Sequence, residues 1–194
     1  MAERTIIQHS VLIVSASGQL DSVVKKNLAG DMLMSLEGRR SAAAARQSFL
    51  ERYYDLIIVD SPLPDESGTG LVLDMSEQSN ASVLLITERD RYEEVFDMVA
   101  PAGVYVLPRP FPRGRLRQVI RYLFAIRERL KKLERKLELS EERLLEVREV
   151  NRAKLMLIER KHMTEDEAHR FIGKWAMDRG ISRKRAAEML MEEL

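Results

Sequence analysis

Two groups of side chains in this sequence could do chemistry. In the first, Asp60 closes the apolar run Leu56-Ile-Ile-Val-Asp60, Thr87 closes Val83-Leu-Leu-Ile-Thr87, and Arg109 follows Gly103-Val-Tyr-Val-Leu107. If these runs are neighbouring strands, a carboxylate, a hydroxyl and a cation converge on one pocket. Arginine is a planar fork that pairs bidentately with a carboxylate, so an Asp60–Arg109 ion pair is expected to fill it. A lone carboxylate is a poor Mg²⁺ site, and Glu88, directly after Thr87, is a candidate for a stray metal ligand. The second group is cationic: Lys154, Arg160, Lys161, Arg170, Lys174, Arg179 and the run Arg183-Lys184-Arg185. Singly, each reads as a solvated surface charge; clustered at helix ends, they suit phosphate.

The elements that must position these groups follow from pattern. Val11-Leu-Ile-Val14 and the three runs above are continuous and apolar, as in parallel strands covered on both faces. Met32-Leu-Met-Ser-Leu36 reads as a fifth strand, and helical patterns fall near 18–29, 39–51, 69–79 and 89–100. The alternation predicts a doubly wound α/β five-stranded parallel sheet over residues 1–115, with its functional loops at the carboxyl ends of the strands.

This block resembles the receiver domain of bacterial two-component response regulators over roughly residues 9–125, with a flavodoxin-like strand order. The resemblance makes Asp60 the phosphoacceptor position, with Thr87 and Arg109 where that family binds and signals the phosphoryl group. Three departures matter. The acidic pair that holds Mg²⁺ in receivers is Ser15-Ala16 here, and Arg109 replaces a lysine. The switch aromatic falls at Val106, with Tyr105 one place off and therefore on the other face of the sheet. Phosphoryl transfer relies on a metal to offset charge on the phosphoryl oxygens. Asp60 therefore reads either as a phosphoacceptor or as a relic carboxylate in a pseudo-receiver pocket, and the departures favour the relic.

From Leu116 onward the period changes. Leu116, Leu123, Leu130, Leu137 and Leu144 recur every seven residues, with Val119, Ile126, Leu133, Ser140 and Val147 three places after each. This predicts a coiled-coil dimerisation helix over 116–150, in which Leu116, Leu123, Ile126, Leu130, Leu133, Leu137, Leu144 and Val147 pair with a second copy. Arg129 and Lys136 would face Glu134 and Glu141 of a parallel partner, whereas Arg143 would face Arg148. The competing reading folds the helix back on its own first domain.

Residues 151–194 read as a three-helix unit. The long helix runs on to Glu159, Thr164-Glu-Asp-Glu167 is a capping box, and Ala168, Phe171, Ile172, Trp175 and Ala176 form one stripe. Gly180 stops that helix, and Ser182 starts a third one carrying Ala186, Ala187, Leu190 and Met191. The segment resembles the ANTAR domain of bacterial transcription antiterminators through Ala153-Lys154, Leu157, Glu159, Thr164-Glu-Asp-Glu-Ala168, Ile172 and Ala176-Met-Asp-Arg179. It departs from that pattern at Leu155 and Ile158. The resemblance implies binding to a leader transcript with two small hairpins. Loop bases would stack on arginine or on Trp175, although Trp175 reads first as core.

The chain has 194 residues, no cysteine, 45% apolar and 32% charged residues, and a net charge of +1. That sum hides a gradient: residues 1–111 carry 10 Lys and Arg against 16 Asp and Glu, whereas residues 112–150 carry 12 against 7. No disulfide framework, thiolate metal site or catalytic thiol is available. No run reaches the ~18–20 apolar residues of a membrane span, and the opening MAERTIIQHS lacks a signal-peptide pattern, so a cytoplasmic location is expected. Neither a cofactor nor a metal is called for, and no nucleophile–base pair suggests an enzyme. The expectation is a homodimeric, hairpin-RNA-binding antitermination regulator controlled by a sensor or other protein at the receiver-like domain. Two alternatives stay open: a DNA-binding regulator with a helix-turn-helix around Gly180, and a protein-interaction scaffold.

Overall fold

The computed structural model describes residues 8–28, 33–112 and 114–193. The chain divides into two compact units, residues 1–130 and 131–194. In the first, five parallel strands, β1 (His9–Ser15), β2 (Leu33–Arg39), β3 (Leu56–Asp60), β4 (Ser82–Glu88) and β5 (Tyr105–Arg109), lie in the order β2-β1-β3-β4-β5. Between them run α1 (Gln19–Asn27), α2 (Ala42–Glu51), α3 (Thr69–Gln78) and α4 (Tyr92–Val99), and α5 (Arg115–Lys161) follows β5. β2 begins within its expected apolar run, at Leu33, and extends three residues beyond it to Arg39; Met32 falls outside the described residues.

Strand alternation splits the core into two layers. Leu12, Val14, Ile57, Val59, Leu85 and Val106 join the buried residues of α2, α3 and α4. Val11, Ile13, Ile58, Leu84 and Leu107 join α1 and the start of α5, which contributes Leu116, Val119, Ile120, Leu123 and Phe124. Tyr105 and Val106 therefore point to opposite faces, and the Tyr105 hydroxyl lies 3.4 Å from Arg115 Nη2.

Loop chemistry sets the helix starts. Ser41 Oγ accepts from Ala44 N–H at 3.3 Å, and the Asp65 carboxylate, from the β3–α3 loop, accepts from Ala42 and Ala43 N–H at 2.9 and 3.0 Å. Those two backbone donors, Ala43 first, hold the Asp65 carboxyl below its ordinary value. Gly68 opens α3 at φ +87°, a conformation L side chains rarely adopt, and a Cβ there would come 3.1 Å from Val59.

The second unit contains the remainder of α5 with α6 (Glu165–Arg179) and α7 (Arg183–Glu193), around Val150, Ala153, Leu157, Ala168, Ile172, Ala176, Ala186, Ala187 and Leu190. The small residues let the helices approach closely.

Candidate functional site

The receiver pocket is built by strand register. Ser15 lies opposite Asp60 on adjacent strands, and Glu88 lies opposite Arg109. The fully buried Ser15 hydroxyl has Asp60 Oδ2 and the Ser17 carbonyl each at 2.9 Å, and its single proton serves one at a time. Arg109 Nη1 lies 2.8 Å from Asp60 Oδ1, Arg109 Nη2 donates to the Ser61 carbonyl, and Arg109 Nε faces Glu88 Oε1 at 3.2 Å. Thus both carboxylate oxygens of Asp60 are engaged, one by a hydroxyl and one by a guanidinium.

Thr87 is buried one strand away and, among the described residues, bonds neither Asp60 nor Arg109. Ala16 is exposed and brings no ligand. Sequence reasoning missed one pairing and one member of the cluster. Glu88 is a partner of Arg109, a pairing visible only once β4 and β5 are in register. Arg40 Nη1 donates to the Ser15 carbonyl at 3.3 Å while its other nitrogen pairs with Asp21.

The helical unit is set by its caps. Thr164 Oγ1 accepts from Glu167 N–H at 3.3 Å and Glu167 Oε2 accepts from Thr164 N–H at 2.8 Å, the reciprocal pair anticipated from sequence. That N–H, and then the Thr164 hydroxyl, hold the Glu167 carboxyl below its usual range. Gly180 ends α6 at φ +63°, and Ser182 Oγ accepts from Arg185 N–H at 3.2 Å to start α7. His162, at φ +56°, ends α5 in the left-handed region, a stop the sequence did not announce.

The cations divide by neighbourhood. Lys154 has a partner in its own chain: its side chain is 14% exposed and its Nζ lies 3.0 Å from Glu165 Oε1, tying α5 to the first turn of α6. It is a strut of the bundle, because a half-buried ammonium needs its own partner. Arg170, Lys174, Arg179, Arg183 and Arg185 are exposed, Lys184 is half-buried, and Arg160 and Lys161 are exposed where α5 ends. Lys161 Nζ lies 5.7 Å from the Phe171 ring, and Arg185 pairs with Glu188 at 3.2 Å. The Arg179 guanidinium lies 3.7 Å from the ring centre of Trp175, which is itself partly buried against the bundle core. Trp175 is thus half core and half platform.

The leucine ladder also divides. Leu116 and Leu123, expected on the self-pairing seam, are buried in their own domain, because the sheet face reaches the first turns of α5 before any partner could. The exposed ladder begins at Ile126 and continues through Leu130, Leu133, Leu137, Leu144 and Val147, between 37% and 61% exposed. Among the described residues, no group of three acidic or His side chains could hold a metal, and no helix is long and apolar enough to cross a membrane.

A parallel sheet in this order, with β3 ending on a carboxylate, defines a receiver-type α/β fold, followed here by a helical unit. Two solved structures share the fold of the first unit. They are the signal receiver domain of an HD domain-containing protein from Pseudomonas fluorescens Pf-5 (20% identity, 68% of this chain, 97% of that one, TM-score 0.57) and an adenylate cyclase from Rhodopirellula baltica (19%, 68% and 98%, TM-score 0.61). The ANTAR domain family matches residues 139–191. The transcriptional regulatory protein PdtaR of Mycobacterium tuberculosis H37Rv is 31% identical over 143 residues, 72% of this chain and 68% of the relative. The chain belongs to the ANTAR-domain response regulators, the family of PdtaR.

Proposed function

We propose that the protein is a transcription antitermination regulator, acting in the cytoplasm as a dimer that binds hairpin leader RNA. The reading rests first on the cationic surface of α6 and α7: the Arg179 guanidinium lies over the Trp175 ring, and Arg170, Lys174, Arg183 and Arg185 are exposed on the same two helices. A guanidinium held flat on an indole is a ready surface for a splayed loop base, and the surrounding charges suit the phosphates. Pairing through the exposed ladder of α5 brings two such faces to one transcript, one for each hairpin.

Control in this reading comes from a sensor or other regulatory protein docking on the receiver domain, because Asp60 is already neutralised by Arg109. The protein acts by binding and not as an enzyme. A docked partner changes activity only by favouring the paired or the unpaired state of α5, so it must bind the two states with different affinity.

The test is a salt series with the full chain, comparing a two-hairpin leader RNA with duplex DNA. RNA binding that persists at about 150 mM salt while duplex binding collapses is the expected result. Tighter binding to duplex DNA would transfer the function to α7 acting as a helix-turn-helix reader. Its first turn holds Arg183 and Arg185 but no Asn or Gln.

A further inference from the structure

The exposed ladder carries a charge pattern that self-pairing alone does not explain. In a parallel, in-register coil each g residue faces the partner's e residue five places on. With Leu137 and Leu144 at a, successive pairs are Arg129 with Glu134, Lys136 with Glu141, and Arg143 with Arg148. The first two attract; the third repels, and it occurs twice around the twofold axis.

Among the described residues, neither arginine has an ion-pair partner in its own chain. Both are exposed. The helix positions three and four away from Arg148 are Leu144, Leu145, Asn151 and Arg152. Arg143 has Glu146 one turn on, without an ion pair between them. Glu142 and Glu146 line, with Leu139, Arg143, Ser182 and Lys184, a groove of about 340 Å³ between α5 and α7. That groove is of mixed sign and is not itself an anion site.

The apolar layers make the repulsion matter. Ile126, Leu130, Leu133 and Leu137 are four consecutive apolar layers flanked by attractive pairs. Beyond them only Leu144 and Val147 remain, between the polar layers Ser140 and Asn151. The first stretch can pair unaided, whereas the second has two apolar layers to set against four arginines.

We propose that Arg143 and Arg148 of the partner subunit form a phosphate clamp, one on each side of the seam, which closes on the phosphodiester backbone of bound RNA. This rests on the parallel dimer proposed above and deepens it. Two clamps match two hairpins, each strand neutralising one arginine pair. RNA thereby completes the coil beside the helical units that read it. Linkage then requires that RNA tighten the dimer by the same factor by which dimerisation tightens RNA binding.

A charge-reversal cycle on the full chain tests this, with sedimentation equilibrium reading dimer affinity and a two-hairpin RNA as the ligand. Arg148→Glu and Arg143→Glu each turn the repulsive pair attractive, and each should tighten the RNA-free dimer by about tenfold. Each should also weaken RNA binding and abolish the tightening by RNA seen with the unaltered protein. Combining both reversals restores repulsion, now between carboxylates, and should give a weak dimer that RNA does not rescue. A dimer unaffected by either single reversal, or single variants with undiminished RNA affinity, would overturn the clamp while leaving the dimer standing. A chain that stays monomeric at every concentration, with RNA present, would instead remove the dimer itself.

Discussion

Arg109 Nη1 lies 2.8 Å from Asp60 Oδ1, so the carboxylate at the end of β3 is met by a cation from the chain itself. Asp60 Oδ2 accepts from Ser15, and Glu88 faces the remaining edge of the guanidinium. The pocket is a set of complementary polar and charged groups held across four adjacent strands, where a receiver of the usual type has acidic residues open to a metal.

No stable phosphoprotein should therefore form when the chain is treated with a small acyl phosphate and Mg²⁺. Intact-mass measurement checks this, and a stoichiometric adduct lost in Asp60→Asn would refute it. Arg109→Ala should lower the stability of the first unit by about 1–3 kcal/mol in denaturant titrations, because it strands a partly buried carboxylate.

Lys174→Ala and Arg185→Ala should each weaken binding to a two-hairpin RNA by about 1–2 kcal/mol, with unchanged melting of the helical unit. Lys154→Ala should do the opposite, lowering the melting temperature with little direct effect on RNA, since its ammonium is committed to Glu165. Fluorescence anisotropy and thermal melts on the same samples separate the two roles.

Leu123 and Leu137 share a heptad position but not a partner. Leu123→Ala should cost about 2–4 kcal/mol of folding stability and leave dimer affinity nearly unchanged, because it opens a cavity in the core of the first unit. Leu137→Ala, at a position 61% exposed, should leave the monomer's stability intact and weaken self-association, read by sedimentation at graded concentrations.

Acid should loosen the helical unit through its capping box. The Glu167 carboxyl is held below its ordinary value of 4.5 by Thr164. Its contribution is present in full above that ordinary value and is lost as pH falls through the lower folded one. Melts of the full chain from pH 6 down to about pH 3 should therefore show the helical unit weakening, and Glu167→Gln should flatten that part of the profile. Thr164→Ala should cost about 1 kcal/mol at neutral pH.

Much of this architecture could be read from the chain because the responsible interactions are short in sequence. The apolar runs declare buried parallel strands, the heptads declare a long helix, and Thr164, Gly180 and Ser182 mark helix ends with groups three or four residues away. The pocket was legible as far as the ends of the strands. Asp60 and Arg109 meet because both close a strand, and Ser15 in place of an acid was visible by position. What stayed hidden lies across elements: Glu88 beside Arg109, Arg40 behind Ser15, Asp65 capping α2, and Lys154 paired with Glu165. His162 was hidden for a different reason, since a left-handed stop ordinarily calls for glycine.

By itself the sequence determined the order of elements, the period of each and the caps that bound them, because propensity, amphipathic spacing and capping act within a turn or two of the chain. Only the tertiary structure decided which partner each side chain takes. Leu116 and Leu137 belong to one ladder by spacing, yet the sheet buries the first and leaves the second exposed. Hydrophobic burial depends on which surface is nearest in space, and a heptad pattern carries no record of that.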